Sequence, residues 1–120
     1  MDAAVRYNFA VGLGRARDFD EARRQLEAAL ESDPSLADAH ELLANLLMAR
    51  NQAAAALPHY RAWLRLRPES AQAQFSLGSA LAMTGDRAAA ISYLQKAAAG
   101  GETDARDAAV RLSRDLGVAP

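Results

Sequence analysis

Pro34 in "ALESDPSLADAH" and Pro68 in "WLRLRPESAQAQ" each separate the end of one apolar helical pattern from the start of the next, and they stand 34 residues apart. A fixed period of this length means that one supersecondary unit is repeated and stacked, because no single unit can bury its apolar face alone. Shifting the chain by 34 superimposes Phe9, Leu43 and Leu77, then Ala10, Ala44 and Gly78, then Leu13, Leu47 and Leu81. The second half of each unit superimposes Ala22, Ala56 and Ala90, then Leu26, Tyr60 and Leu94, then Ala29, Trp63 and Ala97. Small residues recur where two backbones approach, and large apolar ones recur where the space between them is filled.

Within each unit the apolar spacing is helical twice over. Phe9, Ala10 and Leu13 share one face, and Ala22, Leu26 and Ala29 share another. Between the two patterns lie "ARDFDE", "RNQAA" and "TGDRA". Asp18 and Asp20 are natural N-caps there, and Asn51 and Gly85 suit the left-handed residue that closes a helix. Ser35 with Asp38 three residues on reads as a capping box that opens the second unit. Each proline marks where a helix must stop. About a quarter of the residues are Ala, the strongest helix former, while Val, Ile and Thr are scarce. An all-α fold follows, with helices expected near 3–16, 19–32, 36–49, 53–66, 70–83, 87–99 and 104–116, give or take about two to four residues. Pro58 falls early in the fourth helix, where it should bend the helix locally with its ring on the outer face.

The unit resembles the tetratricopeptide repeat, whose pattern is W-x2-L-G-x2-Y, then A-x3-F, a small residue and Pro. Unit one carries Arg6, Phe9, Ala10, Leu13, Ala22, Leu26, Ala29 and Pro34 at those positions. Unit two carries His40, Leu43, Ala44, Leu47, Ala56, Tyr60, Trp63 and Pro68, and unit three Gln74, Leu77, Gly78, Leu81, Ala90, Leu94, Ala97 and Glu102. The departures are Arg6, His40 and Gln74 at the first Trp, Trp63 at a small-residue position, and Glu102 in place of the third Pro. Trp63 should be buried beside Ala44, Ala56 and unit three. A pentatricopeptide reading would need a period of 35 and a more basic chain. The resemblance implies one α-solenoid domain over 1–120, with repeats at about 3–36, 37–70 and 71–103. After Gly100-Gly101 one more linker residue keeps the register, aligning Leu112 and Leu116 with Leu77 and Leu81. That makes 104–116 a terminal capping helix. The first helix has no visible cap before it, so Val5, Phe9 and Leu13 should be covered by the second helix alone, and a homodimer through this end is the alternative to a monomer.

A formal net charge of −1 with interleaved acids and arginines excludes the basic stripe of a nucleic-acid binder. There are no cysteines for disulfides or thiolate metal sites, no apolar run long enough for a bilayer, and no visible signal peptide. A cytoplasmic location with no membrane partner is therefore expected. "HELLA" starts like a zinc-protease helix, but Ala44 holds the second ligand position. His40 reads as a packing residue and His59 as an outer-face residue. "GLGRAR" lacks the strand and third glycine of a phosphate loop, and the paired acids fall at helix starts, where they favour the dipole. No enzyme, metal or cofactor is expected.

Stacked hairpins offer a groove lined by the first helix of each pair. The face opposite the core gives Tyr7, Asn8 and Val11; then Asp38, Glu41, Leu42, Asn45 and Met48; then Phe75, Ser76, Ser79 and Met83. This apolar surface with interspersed amides and hydroxyls suits a peptide or helix segment. Tyr7, Leu42 and Phe75 read equally as packing between neighbouring first helices. Some tetratricopeptide domains grip acidic chaperone tails with a carboxylate clamp of Lys, Asn and Arg. The matching positions here are Tyr7 and Val11, Leu42, and Gln72 and Ser76, so no chaperone-tail partner is implied. The expected function is a non-catalytic protein-binding scaffold. The alternatives are self-assembly through the array ends, or an accessory domain of a larger bacterial enzyme, the Ala/Arg bias hinting at such a genome.

Overall fold

The computed structural model describes residues 1–117. Seven α-helices follow one another: α1 (Ala3–Arg15), α2 (Phe19–Ser32), α3 (Ala37–Ala49), α4 (Ala53–Leu66), α5 (Ala71–Thr84), α6 (Arg87–Ala98) and α7 (Thr103–Asp115). The ends fall within one residue of those read from the sequence, and there is no strand among the described residues. Each helix packs on the next, and α7 also lies against α5. The chain is therefore a stack of three hairpins with a seventh helix, elongated to 47 × 25 × 21 Å.

The corners repeat as regularly as the helices. Arg17, Asn51 and Gly85 are spaced by 34 and take φ of 63°, 62° and 94°. The left-handed conformation reverses the chain between the two helices of each hairpin. Glycine adopts it without penalty, and Asn at modest cost. Arg17 is strained there, with its guanidinium 5.6 Å from the centroid of the Phe19 ring. Asp18, Ser70 and Asp86 cap α2, α5 and α6, their side chains accepting from the N–H groups of Glu21, Ala73 and Ala89. The expected capping box at Ser35 does not form. The Ser35 hydroxyl donates to Asp33 Oδ1 at 2.6 Å and its N–H donates to the same oxygen at 3.1 Å, while Leu36 is the N-cap of α3 and provides no side-chain hydrogen bond. Asp33 lies two residues upstream and captures Ser35 in an Asx turn before the helix can.

Ala10, Ala44 and Gly78 on the first helices and Ala22, Ala56 and Ala90 on the second are all buried. A Cβ at Gly78 would lie 3.0 Å from the Leu94 side chain and 3.3 Å from the Ala90 carbonyl, so α5 and α6 meet almost backbone to backbone. The main core runs from Ala10 to Ala90 and includes Trp63, which is buried beside Tyr60 with ring centroids 6.2 Å apart. A second, small core of Leu94, Ala97 and Ala109 takes in Phe75, Leu112 and Leu116. Arg111 and Asp115 point to solvent, so the register after Gly101 is the shifted one. α4 runs unbroken across Pro58, whose ring is exposed.

Two further observations concern α1 and α7. Val5 and Phe9 remain 48% and 47% exposed, and only Leu13 of that trio packs on the core. Leu43 and Leu77, the equivalents of Phe9, are 1% exposed. α3 and α5 have a second helix packed on each side, whereas α1 has α2 as its one extensive packing partner. The preceding second helix is what buries this position, and α2 cannot reach it. The other observation is Glu102, which breaks the proline series. Its carboxylate accepts from the N–H of Ala71 at 2.8 Å and of Gln72 at 3.3 Å, so it holds the first turn of α5 from the start of α7. Helix N-termini leave such donors unpaired and favour an anion.

Two stability measurements follow. Trp63→Ala should cost about 3–5 kcal/mol in equilibrium urea unfolding, since the surrounding helices cannot collapse into the space. A loss under about 1 kcal/mol would contradict the buried placement. Glu102→Ala should cost about 1 kcal/mol, with faster amide exchange at Ala71 and Gln72; unchanged exchange there would show the tie is absent.

Candidate functional site

The first-helix face is organised around α3. Asp38, Glu41, Leu42, Asn45 and Met48 recur at three- and four-residue spacing and therefore share one side of it. Opposite, α1 contributes Tyr7 and Asn8. With Ala4, the 35–39 segment and Arg67 they line a depression of about 270 Å³. Tyr7 packs its ring on the main core. Burial, then the charges of Asp38 and Glu41, push its phenol above the ordinary value. Burial and Asp38 likewise raise the Glu41 carboxyl. Tyr60 reaches over from α4 and donates its hydroxyl to Asn45 Oδ1 at 2.6 Å. It is pushed up to about 12 by burial and by Glu41. The side-chain ion pairs of the described residues involve other groups, so Asp38 and Glu41, three residues apart on α3, are in none of them, although Arg67 lines the same depression as Asp38.

The remaining residues of the face divide by burial. Leu42 and Met48 are half-buried against the main core, and Phe75 against the second one. Val11 and Ser79 are half-buried. Ser76 is buried and lies 3.3 Å from the Gln72 amide, whose Nε2 donates to it. Asn8, Asn45 and Met83 are exposed. The structure thus gathers Tyr7, Asn8 and Asp38 around one depression and leaves Phe75, Ser76, Ser79 and Met83 on the next first helix. Sequence reasoning missed Tyr60 and Arg67. Tyr60 occupies a large-apolar core position, and only its hydroxyl hinted at a polar partner. No cluster of three or more metal-binding side chains occurs among the described residues.

A tetratricopeptide-repeat family model matches residues 7–70 and again 42–109. The solved structures that the chain resembles include a MamA protein, with 26% identity and a TM-score of 0.83 over 96% of this chain and 64% of that one. The chain thus spans just under two thirds of that relative. MamA 41-end from Desulfovibrio magneticus RS-1 gives 21% identity and a TM-score of 0.78 over 97% of this chain and 74% of that one. The first TPR of Spaghetti (RPAP3), bound to the HSP90 peptide SRMEEVD, gives 15% identity and 0.82 over 97% and 94%. No curated protein matches the chain. No helix of the described residues is long and apolar enough to cross a membrane.

The histidines form a clasp at the junction of the first two hairpins. His40 is buried, with its Nε2 2.9 Å from the Pro34 carbonyl and its Nδ1 3.2 Å from His59 Nδ1. A carbonyl only accepts, so the His40 Nε2–H donates to it. The two Nδ1 atoms share one proton-bearing contact, in which one ring donates and the other accepts. His59 is consequently half-buried, turned inward from the outer face assigned to it by sequence. Burial, then His40, hold the His59 imidazole below its ordinary value; Glu27 opposes this and Arg23 adds to it. A histidine whose folded value is depressed contributes stability above the unfolded value of about 6.5 and loses it as pH falls below that. The urea midpoint should therefore fall from pH 7 to pH 5 more steeply in the wild type than in His59→Gln. Parallel curves would remove the clasp as the cause.

Proposed function

The chain belongs to the tetratricopeptide-repeat family, and on that premise we propose that it is a non-catalytic module that holds a peptide or helix segment of a protein partner on its first-helix face. The segment belongs to another protein or to a longer version of this chain. One observation carries the reading. Asp38 and Glu41 stand three residues apart on α3 and enter no side-chain ion pair among the described residues, and Asp38 lines the depression with Tyr7 and Asn8. A bound Lys or Arg would offset the burial, and the lesser repulsion from Asp38, that raise Glu41, and Asn amides can meet the peptide backbone from either side. Apolar ligand side chains would rest on Tyr7, Leu42 and Met48, with Val11, Phe75, Ser76, Ser79 and Met83 continuing the surface.

The RPAP3 neighbour is bound to the acidic peptide SRMEEVD. The same ligand class does not suit this face. Tyr7, Val11, Leu42, Gln72 and Ser76 stand at the clamp positions, and Asp38 and Glu41 would repel a glutamate. A single segment over three hairpins buries a modest area, so an affinity in the micromolar range, about −8 kcal/mol, is expected.

The test is a peptide-display selection on the immobilised domain, followed by titration against Asp38→Lys/Glu41→Lys. Selected peptides should be apolar with a Lys or Arg, and the double variant should lose at least about tenfold in affinity while keeping its helical content. Equal binding by the folded variant, or a selection of acidic tails, would overturn the assignment.

A further inference from the structure

α1 presents a second surface, separate from Tyr7, Asn8 and Val11. Val5, Phe9, Gly12 and Ala16 fall at four-, three- and four-residue spacing, and all four are exposed, with Met1 continuing the line. This is an apolar stripe of full helix length with no charged residue in it. The two later repeats show what the position is built for, since Leu43 and Leu77 are buried under a neighbouring helix. A Cβ on Gly12 would meet nothing within 4 Å, so a helix can approach closely at that point.

We propose that the stripe pairs with the same stripe of a second copy of this chain, α1 antiparallel to α1 about a twofold axis through Phe9. Charge decides the orientation. Asp2 caps the start of the helix, accepting from the Val5 N–H at 2.8 Å, while Arg15 and Arg17 stand at its end. Antiparallel pairing sets Asp2 of each copy beside the arginines of the other and opposes the two helix dipoles. A parallel pair would put arginine against arginine. The same self-complementarity favours a closed, isologous contact. Head-to-tail stacking is disfavoured because the outer side of α7 exposes Asp104, Arg106, Asp107, Arg111, Arg114 and Asp115, which would have to be buried against an apolar stripe.

With Phe9 on the axis, residue 5 of one copy meets residue 13 of the other, so Val5 rests between the partner's Gly12 and Leu13. The two Val5 residues lie about 12 Å apart, eight residues at about 1.5 Å each. A helix of 13 residues spans only about 20 Å. One such pairing sits at the small end of specific interfaces, giving a dissociation constant on the order of 10–100 µM.

The absence of cysteine from the chain makes the geometry directly readable. Sedimentation of the 120-residue chain over roughly three decades of concentration should show a monomer–dimer equilibrium. Phe9→Glu, which places two carboxylates on the axis, should weaken it at least about tenfold. Under mild oxidation Phe9→Cys should cross-link to itself. Val5→Cys should not do so alone but should cross-link when mixed with Gly12→Cys, because disulfides need Cα atoms within about 7 Å. Cross-links are read only on variants that retain wild-type helical content. A monomer at every concentration, growth beyond the dimer, or Val5→Cys pairing with itself while Phe9→Cys stays reduced would each overturn the proposal.

Discussion

The burial of small residues at the equivalent crossing position of all three hairpins is the constraint from which the rest of the structure follows. Gly78 lies so close to Ala90 and Leu94 that a Cβ there would crowd them, and Ala10, Ala22, Ala44 and Ala56 are buried at the equivalent positions of the other two hairpins. Once the crossing is fixed, the large residues one turn away, Leu26, Tyr60 and Leu94, fill the wedge between the helices. The side of each first helix turned away from the crossing is then free to become a binding surface. Dense Ala usage is thus a geometric requirement as well as a helix preference.

Much of this was legible because each element announces itself several times. Three copies of the unit report the same crossing, so a departure in one copy, such as Trp63 at a small-residue position, did not obscure the register. The corners at Asn51 and Gly85 were visible from residue type. Arg17 was not, because only its spacing from Asn51 betrays the left-handed turn. The surface was harder to read. Periodicity separates inward from outward residues, but Leu42, Met48 and Phe75 lie near the boundary, and half-burial is set by helix tilt. The His40–His59 clasp, the Tyr60–Asn45 bond and the Glu102 tie join residues 15 to 31 apart in sequence. No local pattern encodes side-chain reach over such separations. Ser35 failed for a different reason, since a capping box and an Asx turn draw on the same residue types.

α1 shows how one short helix can serve three directions. Ala10 locks it to α2, Tyr7 and Asn8 look onto the first-helix face, and Val5, Phe9 and Gly12 look outward from the stack. In α3 and α5 the third direction is occupied by the preceding hairpin. The two proposed surfaces therefore have different origins: one follows the side shared by the first helices, whereas the stripe is a feature of α1.

Glu102 alters the character of the other end. In a linear array each unit touches only its neighbours, and the last one is free to fray alone. A carboxylate that holds the first turn of α5 from the start of α7 closes a ring around the third hairpin. Detaching α7 then strips α5 of two hydrogen-bond acceptors at its most donor-rich point. The small second core, with only three fully enclosed side chains, would be too weak to resist peeling by itself. Tied in this way, α5, α6 and α7 should open as one cooperative block, so a protease probing this end would meet a single threshold rather than a series of graded steps.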